Sequence, residues 1–139
     1  MKSIAVSPDI DDAARAIARR YRWRTVPDGA WAANLLGLST QVPAKIVYLS
    51  DGPSKKILIG KTTIRFKHAR PQVLAGVDEN GGAVIQALRH IGKKSVDATV
   101  IQRLREVLPA QKRRALAKQA RFGVDWIYQV AKEIAGVPR

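Results

Sequence analysis

Residues 28–60 read DGAWAANLLGLSTQVPAKIVYLSDGPSKKILIG, and this stretch decides the fold because it holds the densest series of helix, turn and strand signals. Residues 30–36 are rich in Ala and Leu and predict a short helix, which Gly37 should end in the left-handed conformation. The β-branched and aromatic run at 46–49 then predicts a strand, bounded by a turn at residues 51–54. The stretch therefore predicts a passage from helix to sheet.

Two more strands are predicted after this turn. Residues 57–59 are apolar, Gly60 and Lys61 form the next turn, and residues 62–67 alternate apolar with basic side chains. The pattern predicts a three-stranded antiparallel meander with one apolar face and one basic face. A short strand at 23–26 is expected to pair with it, and Tyr48 is expected to point outward.

Helical patterns precede and follow the predicted sheet. Ser7, followed by Pro and Asp, predicts the start of a first helix. Residues 72–82 contain three Gly and predict a loop, and four further helical segments follow, the second of them capped by Ser95. The expected fold is α+β: a small antiparallel meander packed against about six helices, with a helical C-terminal half, in a single domain over residues 1–139.

Composition narrows the class of protein. A chain of 139 residues is long enough to bury one core, and the absence of Cys excludes disulfides, thiol chemistry and cysteine-ligated metals. The sequence shows no long apolar run and no hydrophobic leader, so we expect a cytoplasmic protein that does not contact a membrane.

The net charge of +14 is the most informative total, and residues 61–139 hold sixteen Lys and Arg against six Asp and Glu. Such an excess indicates a polyanionic partner, most commonly nucleic acid. One predicted group of cations lies on the outward face and turns of the meander: Lys55, Lys56, Lys61, Arg65 and Lys67. A second group shares one face of the helix after Pro109: Arg114, Lys118 and Arg121. Point charges of this kind suit phosphate contacts rather than sequence readout.

Aromatic side chains offer no base-stacking platform at this level, because Trp23, Trp31 and Trp126 are all expected in the core. Catalytic patterns are also missing. The Gly60-Lys61 pair lacks the preceding Gly of a phosphate loop, and residues 57–67 contain no carboxylate for a nuclease-type metal site. We therefore expect no catalytic residue, no metal and no cofactor, and rank an enzyme third among the functional hypotheses.

Several segments of the chain together carry a family resemblance. Residues 33–44 read ANLLGLSTQVPA, residues 48–53 read YLSDGP, and ALRHIG at 87–92 is followed later by Trp126 and Ile127. This combination resembles the AbiEi-type antitoxin-like family, closest to a short branch described only as a domain of unknown function. The signature positions are Asn34, Gly37, Ser39, Thr40, Gln41, Pro43, Asp51 and Gly52. Turn chemistry also explains the polar members without any ligand.

The resemblance implies a non-catalytic antitoxin and transcriptional regulator that counters a nucleotidyltransferase-like toxin without needing to bind it. Family members usually carry a winged helix-turn-helix before the position equivalent to Ser7, where this chain has six residues. We therefore expect the C-terminal domain alone, whether as a short form or as part of something larger. The alternative is a standalone basic protein that binds RNA or DNA and has no toxin partner.

Overall fold

A computed structural model describes the backbone of residues 3–136 and the side chains of residues 10–136. The strands are β1 (Thr25–Pro27), β2 (Ile46–Ser50), β3 (Lys55–Ile59) and β4 (Thr62–His68). The α-helices are α1 (Ser3–Tyr21), α2 (Gly29–Leu35), α3 (Pro71–Leu74), α4 (Glu79–Ile91), α5 (Ala98–Val107), α6 (Ala110–Gln119) and α7 (Asp125–Ala135). A 3₁₀ turn covers Lys93–Ser95. The α+β class and the helical C-terminal half are therefore confirmed.

The order of the strands differs from the predicted meander. The sheet runs β1-β2-β4-β3, with β4 parallel to β2, and with antiparallel pairs at β1–β2 and β3–β4. After β2 the chain first forms the edge strand β3, and the β3–β4 hairpin then places β4 between β2 and β3. The turn after β2 is held at the end of β4. Ser54 Oγ accepts a hydrogen bond of 3.0 Å from the His68 amide, and His68 Nδ1 lies 2.9 Å from the Gly52 carbonyl oxygen. The β3–β4 hairpin and the pairing of β1 with the sheet are confirmed.

One core lies between the sheet and the first two helices. Trp31 from α2 packs there with residues of α1 and with the inward side chains of β2 and β4, including Tyr48 and Phe66. The expectation that Tyr48 points outward is wrong, because this side chain is 2% exposed. Its hydroxyl accepts a 2.9 Å hydrogen bond from Trp31 Nε1 and donates one of 2.6 Å to Asp11 Oδ1.

Local signals predicted α2 well. Asp28 caps its first turn, with one carboxylate oxygen accepting a hydrogen bond of 3.3 Å from the Trp31 amide. The helix ends at Leu35, and Gly37 follows with a φ of 74°, the left-handed conformation in which a side chain is disfavoured.

The predicted loop at residues 72–82 is wrong, because α3 and the first turn of α4 lie within it. Asp78 caps α4 and accepts a 2.7 Å hydrogen bond from the Gly81 amide. Gly82 lies where α4 crosses β1, and a Cβ there would come within 2.3 Å of Val26 Cγ1. Close packing between a helix and a strand therefore explains a glycine that in sequence resembles a loop signal.

A second core holds the C-terminal helices together. It contains Leu88 from α4, Leu104 from α5, Leu116 from α6 and Ile134 from α7. Ser95 does not cap α5, because Asp97 does so, accepting a 3.1 Å hydrogen bond from the Val100 amide.

The first helix begins earlier than its capping signal. The backbone is helical from Ser3, so the predicted start at Ser7 is wrong, and the Ser7 side chain itself lies outside the described residues. None of the helices in the described part of the chain combines the length and apolar character needed to cross a bilayer.

Candidate nucleic-acid interface

Three cations lie side by side on the face of the sheet opposite Tyr48. The β3–β4 register places Lys56 directly across from Arg65, and Lys67 follows two residues later on the same side of β4. Alternation along each strand sets this arrangement, since Ile64 and Phe66 point into the core. We call Lys56, Arg65 and Lys67 the basic sheet face.

A shallow groove of about 340 Å³ runs along the basic sheet face. Its lining contains all three cations of the basic sheet face and, among the described residues, no Asp or Glu. Arg15 forms ion pairs with Asp11 and with Glu79, and neither pair includes a cation of the basic sheet face. Like charges directly opposed on neighbouring strands destabilise a sheet, which makes the Lys56–Arg65 pair unfavourable without a counter-charge.

Lys55 and Lys61 are placed differently from the basic sheet face. The partner of Lys55 in the register is Phe66, and its Nζ lies 5.5 Å from the centre of the Tyr21 ring, so it points toward the other side of the sheet. Lys61 lies in the β3–β4 turn and borders a second groove of about 480 Å³ together with Lys45 and Arg65. Of the five cations predicted to cluster on the meander, Lys56, Arg65 and Lys67 thus lie together on one face. Lys55 and Lys61 lie outside this group.

The cations in α6 and just after it differ in what their side chains contact. Arg114 and Lys118 are exposed on the helix, and Arg121 follows its C-terminal end. Arg113 is structural, because its Nη1 donates hydrogen bonds of 2.8 Å and 2.9 Å to the carbonyl oxygens of Arg105 and Leu108 at the end of α5. The predicted row of Arg114, Lys118 and Arg121 is therefore available at the surface, and phosphate binding by it stays a prediction.

A family model matches residues 3–116, most of the chain. The chain belongs to the family of unknown function DUF6088. Comparisons with curated proteins and with solved structures found no match. The DUF6088 match agrees with the expected domain of unknown function, and it assigns no antitoxin role.

The signature residues within the DUF6088 region build turns. Asn34 Nδ2 donates hydrogen bonds of 3.4 Å and 3.0 Å to the carbonyl oxygens of Ser39 and Gln41. The Gln41 amide in turn donates to Ser39 Oγ over 3.2 Å. These contacts support the structural explanation of the polar signature, because each one fixes the irregular segment between α2 and β2.

The turn after β2 is equally well fixed. Asp51 Oδ1 accepts a 2.8 Å hydrogen bond from the Arg24 amide, which ties the turn to the start of β1. A Cβ at Gly52 would lie within 2.3 Å of Trp23 Nε1, so the indole needs a glycine there. Pro43 and Thr40 lie in the preceding connection, where Thr40 is exposed.

Aromatic exposure was predicted incorrectly. Phe122 is 86% exposed, and the Arg121 guanidinium carbon lies 4.6 Å from the centre of its ring. Trp31 is buried as expected, whereas Trp23 and Trp126 are only half-buried. The sequence offered one signal for Phe122: it lies just before Gly123 and outside the buried stripe of α6, which continues from Leu116 to Ala120.

The titratable groups show no arrangement suited to a metal. Among the described residues, no three His, Asp or Glu side chains come together in a way that could hold an ion. Burial raises the pKa of the Tyr48 hydroxyl, and its hydrogen bond to the Asp11 carboxylate and the negative charge there raise it further. Tyr48 therefore stays protonated as a donor to Asp11.

Proposed function

We propose that this chain binds nucleic acid through phosphate contacts made by the basic sheet face, without catalysing a reaction on it. One observation carries the proposal: Lys56 and Arg65 are paired across two strands, beside Lys67, in a groove with no acidic lining residue among those described. A phosphate backbone supplies the counter-charge that this pairing lacks, and each neutralised phosphate releases a condensed cation.

The shape of this surface favours contacts to the backbone over contacts to bases. The basic sheet face lies on a strand pair with one edge of β3 open, and the exposed apolar side chain beside it on β3 is Leu58 rather than an aromatic ring. Contacts of this kind fix position without reading sequence. We therefore expect affinity for RNA and duplex DNA that depends strongly on salt and weakly on sequence.

Charge reversal at the strand pair tests the proposal. Fluorescence anisotropy with labelled tRNA and with duplex DNA, each over a salt series, compares the wild type with Lys56→Glu/Arg65→Glu. We expect the slope of log K against log salt for duplex DNA to become shallower by about 1.8, because two phosphate contacts are lost at about 0.9 each. Affinity at low salt should fall by roughly tenfold or more.

The matched control is Lys93→Glu/Lys94→Glu, which changes the net charge equally at two exposed lysines of the 3₁₀ turn. It should leave the slope near the wild-type value. Equal losses in both variants would show that only total charge matters and would reject the basic sheet face as the site. Mg²⁺-dependent cleavage of either nucleic acid by the wild type would reject the non-catalytic part of the proposal.

The antitoxin role remains a proposal that rests on the resemblance at residues 33–44 and 48–53. Its test is co-expression with a nucleotidyltransferase-like protein encoded beside this chain, with growth as the readout. Rescue by the wild type and not by Lys56→Glu/Arg65→Glu would link the antitoxin role to nucleic-acid binding. Full binding without any rescue would favour the alternative of a standalone nucleic-acid-binding protein.

A further inference from the structure

A second surface is an open groove of about 690 Å³ between β2, α3, α4 and the turn from α6 to α7. It meets the basic sheet face where Leu49 lies across from Lys67 in the β2–β4 register. Its apolar lining includes Leu49, Val73, Ile85, Phe122, Val124 and Ile127. We call it the apolar groove. Its walls come from elements packed on both cores, so its shape is set by the fold rather than by a single loop.

The most exposed apolar side chains of the groove lie in the turn from α6 to α7. Phe122 is 86% exposed and Val124 is 43% exposed. Single exposed apolar residues are ordinary on protein surfaces, but these two continue directly into an apolar depression. An aromatic ring beside an apolar pocket is the arrangement typical of an anchor point in protein recognition.

The charge around the apolar groove is of one sign. Arg89 and Lys118 line it, and the Arg121 guanidinium lies over the Phe122 ring. No Asp or Glu is among the described lining residues. A partner that fills this groove must therefore bring apolar side chains for its centre and negative charge for its rim.

These observations argue against two simple occupants, a second copy of this chain and a nucleic-acid backbone. A second copy of this chain would bring the same net charge of +14 to a basic rim, so electrostatic repulsion opposes it. A nucleic-acid backbone would find cations only at Arg89 and Lys118, because the other described lining residues are apolar or, at three glutamines, carry no charge to pair with phosphate.

We propose that the apolar groove receives an acidic amphipathic helix of a partner protein. Apolar side chains at positions i, i+3, i+4 and i+7 of that helix would occupy the depression beside Phe122. Asp and Glu residues flanking them would meet Arg89, Lys118 and Arg121. This site shares no lining residue with the basic sheet face, and the proposal does not depend on nucleic-acid binding.

The probe is a panel of labelled helical peptides with Leu at i, i+3, i+4 and i+7 and Glu at most other positions. Two matched panels serve as controls: one with Gln in place of Glu, and one with the same composition in scrambled order. We expect fluorescence anisotropy to show that the acidic amphipathic peptides bind the full chain saturably. Their affinity should be at least tenfold higher than that of the peptides in either control panel. Amide chemical shifts should change mainly around residues 72–77 and 118–127.

Two variants tie such binding to the apolar groove. Phe122→Ala should weaken the binding at least tenfold. Because Phe122 is 86% exposed, the substitution leaves both cores intact, and a circular dichroism spectrum checks that the chain is folded. Leu58→Ala, which removes another exposed apolar side chain on β3, should leave the binding unchanged. Lys118→Glu should weaken the binding of the acidic peptides more than the binding of the matched peptides with Gln.

The proposal is overturned if no acidic amphipathic peptide binds better than the scrambled panel, or if Phe122→Ala and Leu58→Ala behave alike. Shift changes at the groove caused by single-stranded RNA instead of peptide would also overturn it, and would assign Phe122 to base stacking. Failure of either kind leaves the salt-dependent test of the basic sheet face unaffected, because the two experiments use different residues and ligands.

Discussion

The Tyr48 hydroxyl connects three elements through one oxygen atom. It accepts from Trp31 of α2 and donates to Asp11 of α1, while its own backbone lies in β2. Asp11 also pairs with Arg15 at 2.9 Å, and Arg15 reaches Glu79 at the start of α4 at 3.1 Å. A buried tyrosine therefore begins a polar chain that extends to the first turn of α4.

Tyr48→Phe should destabilise the fold by about 1–3 kcal/mol, because it leaves the buried Trp31 indole N–H without its acceptor and deprives Asp11 of a donor. Urea unfolding followed by circular dichroism measures the change. The control is Tyr21→Phe, whose ring is about half exposed and should change stability little. Equal effects of the two substitutions would show that the Tyr48 hydroxyl contributes no more than a surface one.

At this scale the sequence could not place Tyr48. Every residue of the run at 46–49 is apolar or aromatic, so either alternate set could face the core. The decision depends on partners distant in sequence, Trp31 and Asp11, which no local pattern reveals. By contrast, Gly37 and Asp28 act within their own helix, and that is why the end of α2 was predictable.

Helix α4 begins after Asp78, a capping residue whose negative charge contributes to the stability of the fold. Burial alone would raise the pKa of Asp78, but hydrogen bonds from the Gly81 amide and the Gln119 side chain, together with the charge of Lys112, outweigh it and lower the pKa. A carboxyl group with a lowered folded-state pKa stabilises the fold in its ionised form. Its contribution is fully present above the ordinary pKa of 3.8 and is lost as the pH falls through the folded-state value.

Asp78→Asn keeps a good capping side chain but removes this dependence on pH. We expect the wild type to have the larger free energy of unfolding at about pH 7, and the difference to shrink toward about pH 2 as Asp78 protonates. Urea unfolding at several pH values measures it. A difference that stays constant over the whole range would contradict the assignment. Asp78→Ala should cost about 1 kcal/mol even where the charge no longer matters, because it removes the cap itself.

The pairing of neighbouring strands in the sheet could be predicted only in part from the sequence of each strand. The β3–β4 hairpin was predictable because Gly60 and Lys61 separate two strands directly, and the Lys56–Arg65 pairing follows from that hairpin alone. The parallel contact between β2 and β4 was not predictable, because side-chain alternation is identical whichever neighbour a strand has. The candidate site was thus predicted in part even though the strand order around it was wrong.

Edge position offers a competing explanation for part of the basic charge. The strand β3 lies at the end of the sheet, and lysines on an edge strand discourage pairing with other chains. That explanation covers Lys55 and Lys56 but not Arg65 or Lys67, which lie on the interior strand β4. Phosphate binding accounts for all the members of the basic sheet face and is therefore the broader explanation.

Across the whole molecule, the two proposed surfaces differ in what surrounds their cations. The basic sheet face presents a cross-strand pair of like charges, whereas the apolar groove places cations only at its rim. The sequence predicted the charge but not this division, since Phe122 becomes the edge of a groove only through the packing of α7 against α6. A net charge of +14 on one small domain also has a consequence for stability, because its parts repel one another.

We therefore expect the midpoint of thermal unfolding to rise by a few degrees, about 3 °C, between about 10 mM and 200 mM NaCl, as screening shortens the range of this repulsion. Differential scanning calorimetry measures the midpoint, and an uncharged osmolyte at equal osmolality controls for general solute effects. Lys56→Glu should show a higher midpoint at low salt and a smaller rise, because it lowers the net charge and places opposite charges across the two strands at this pair. If this variant is instead less stable at low salt, the Lys56–Arg65 pair does not strain the isolated chain and does not require a phosphate as its counter-charge.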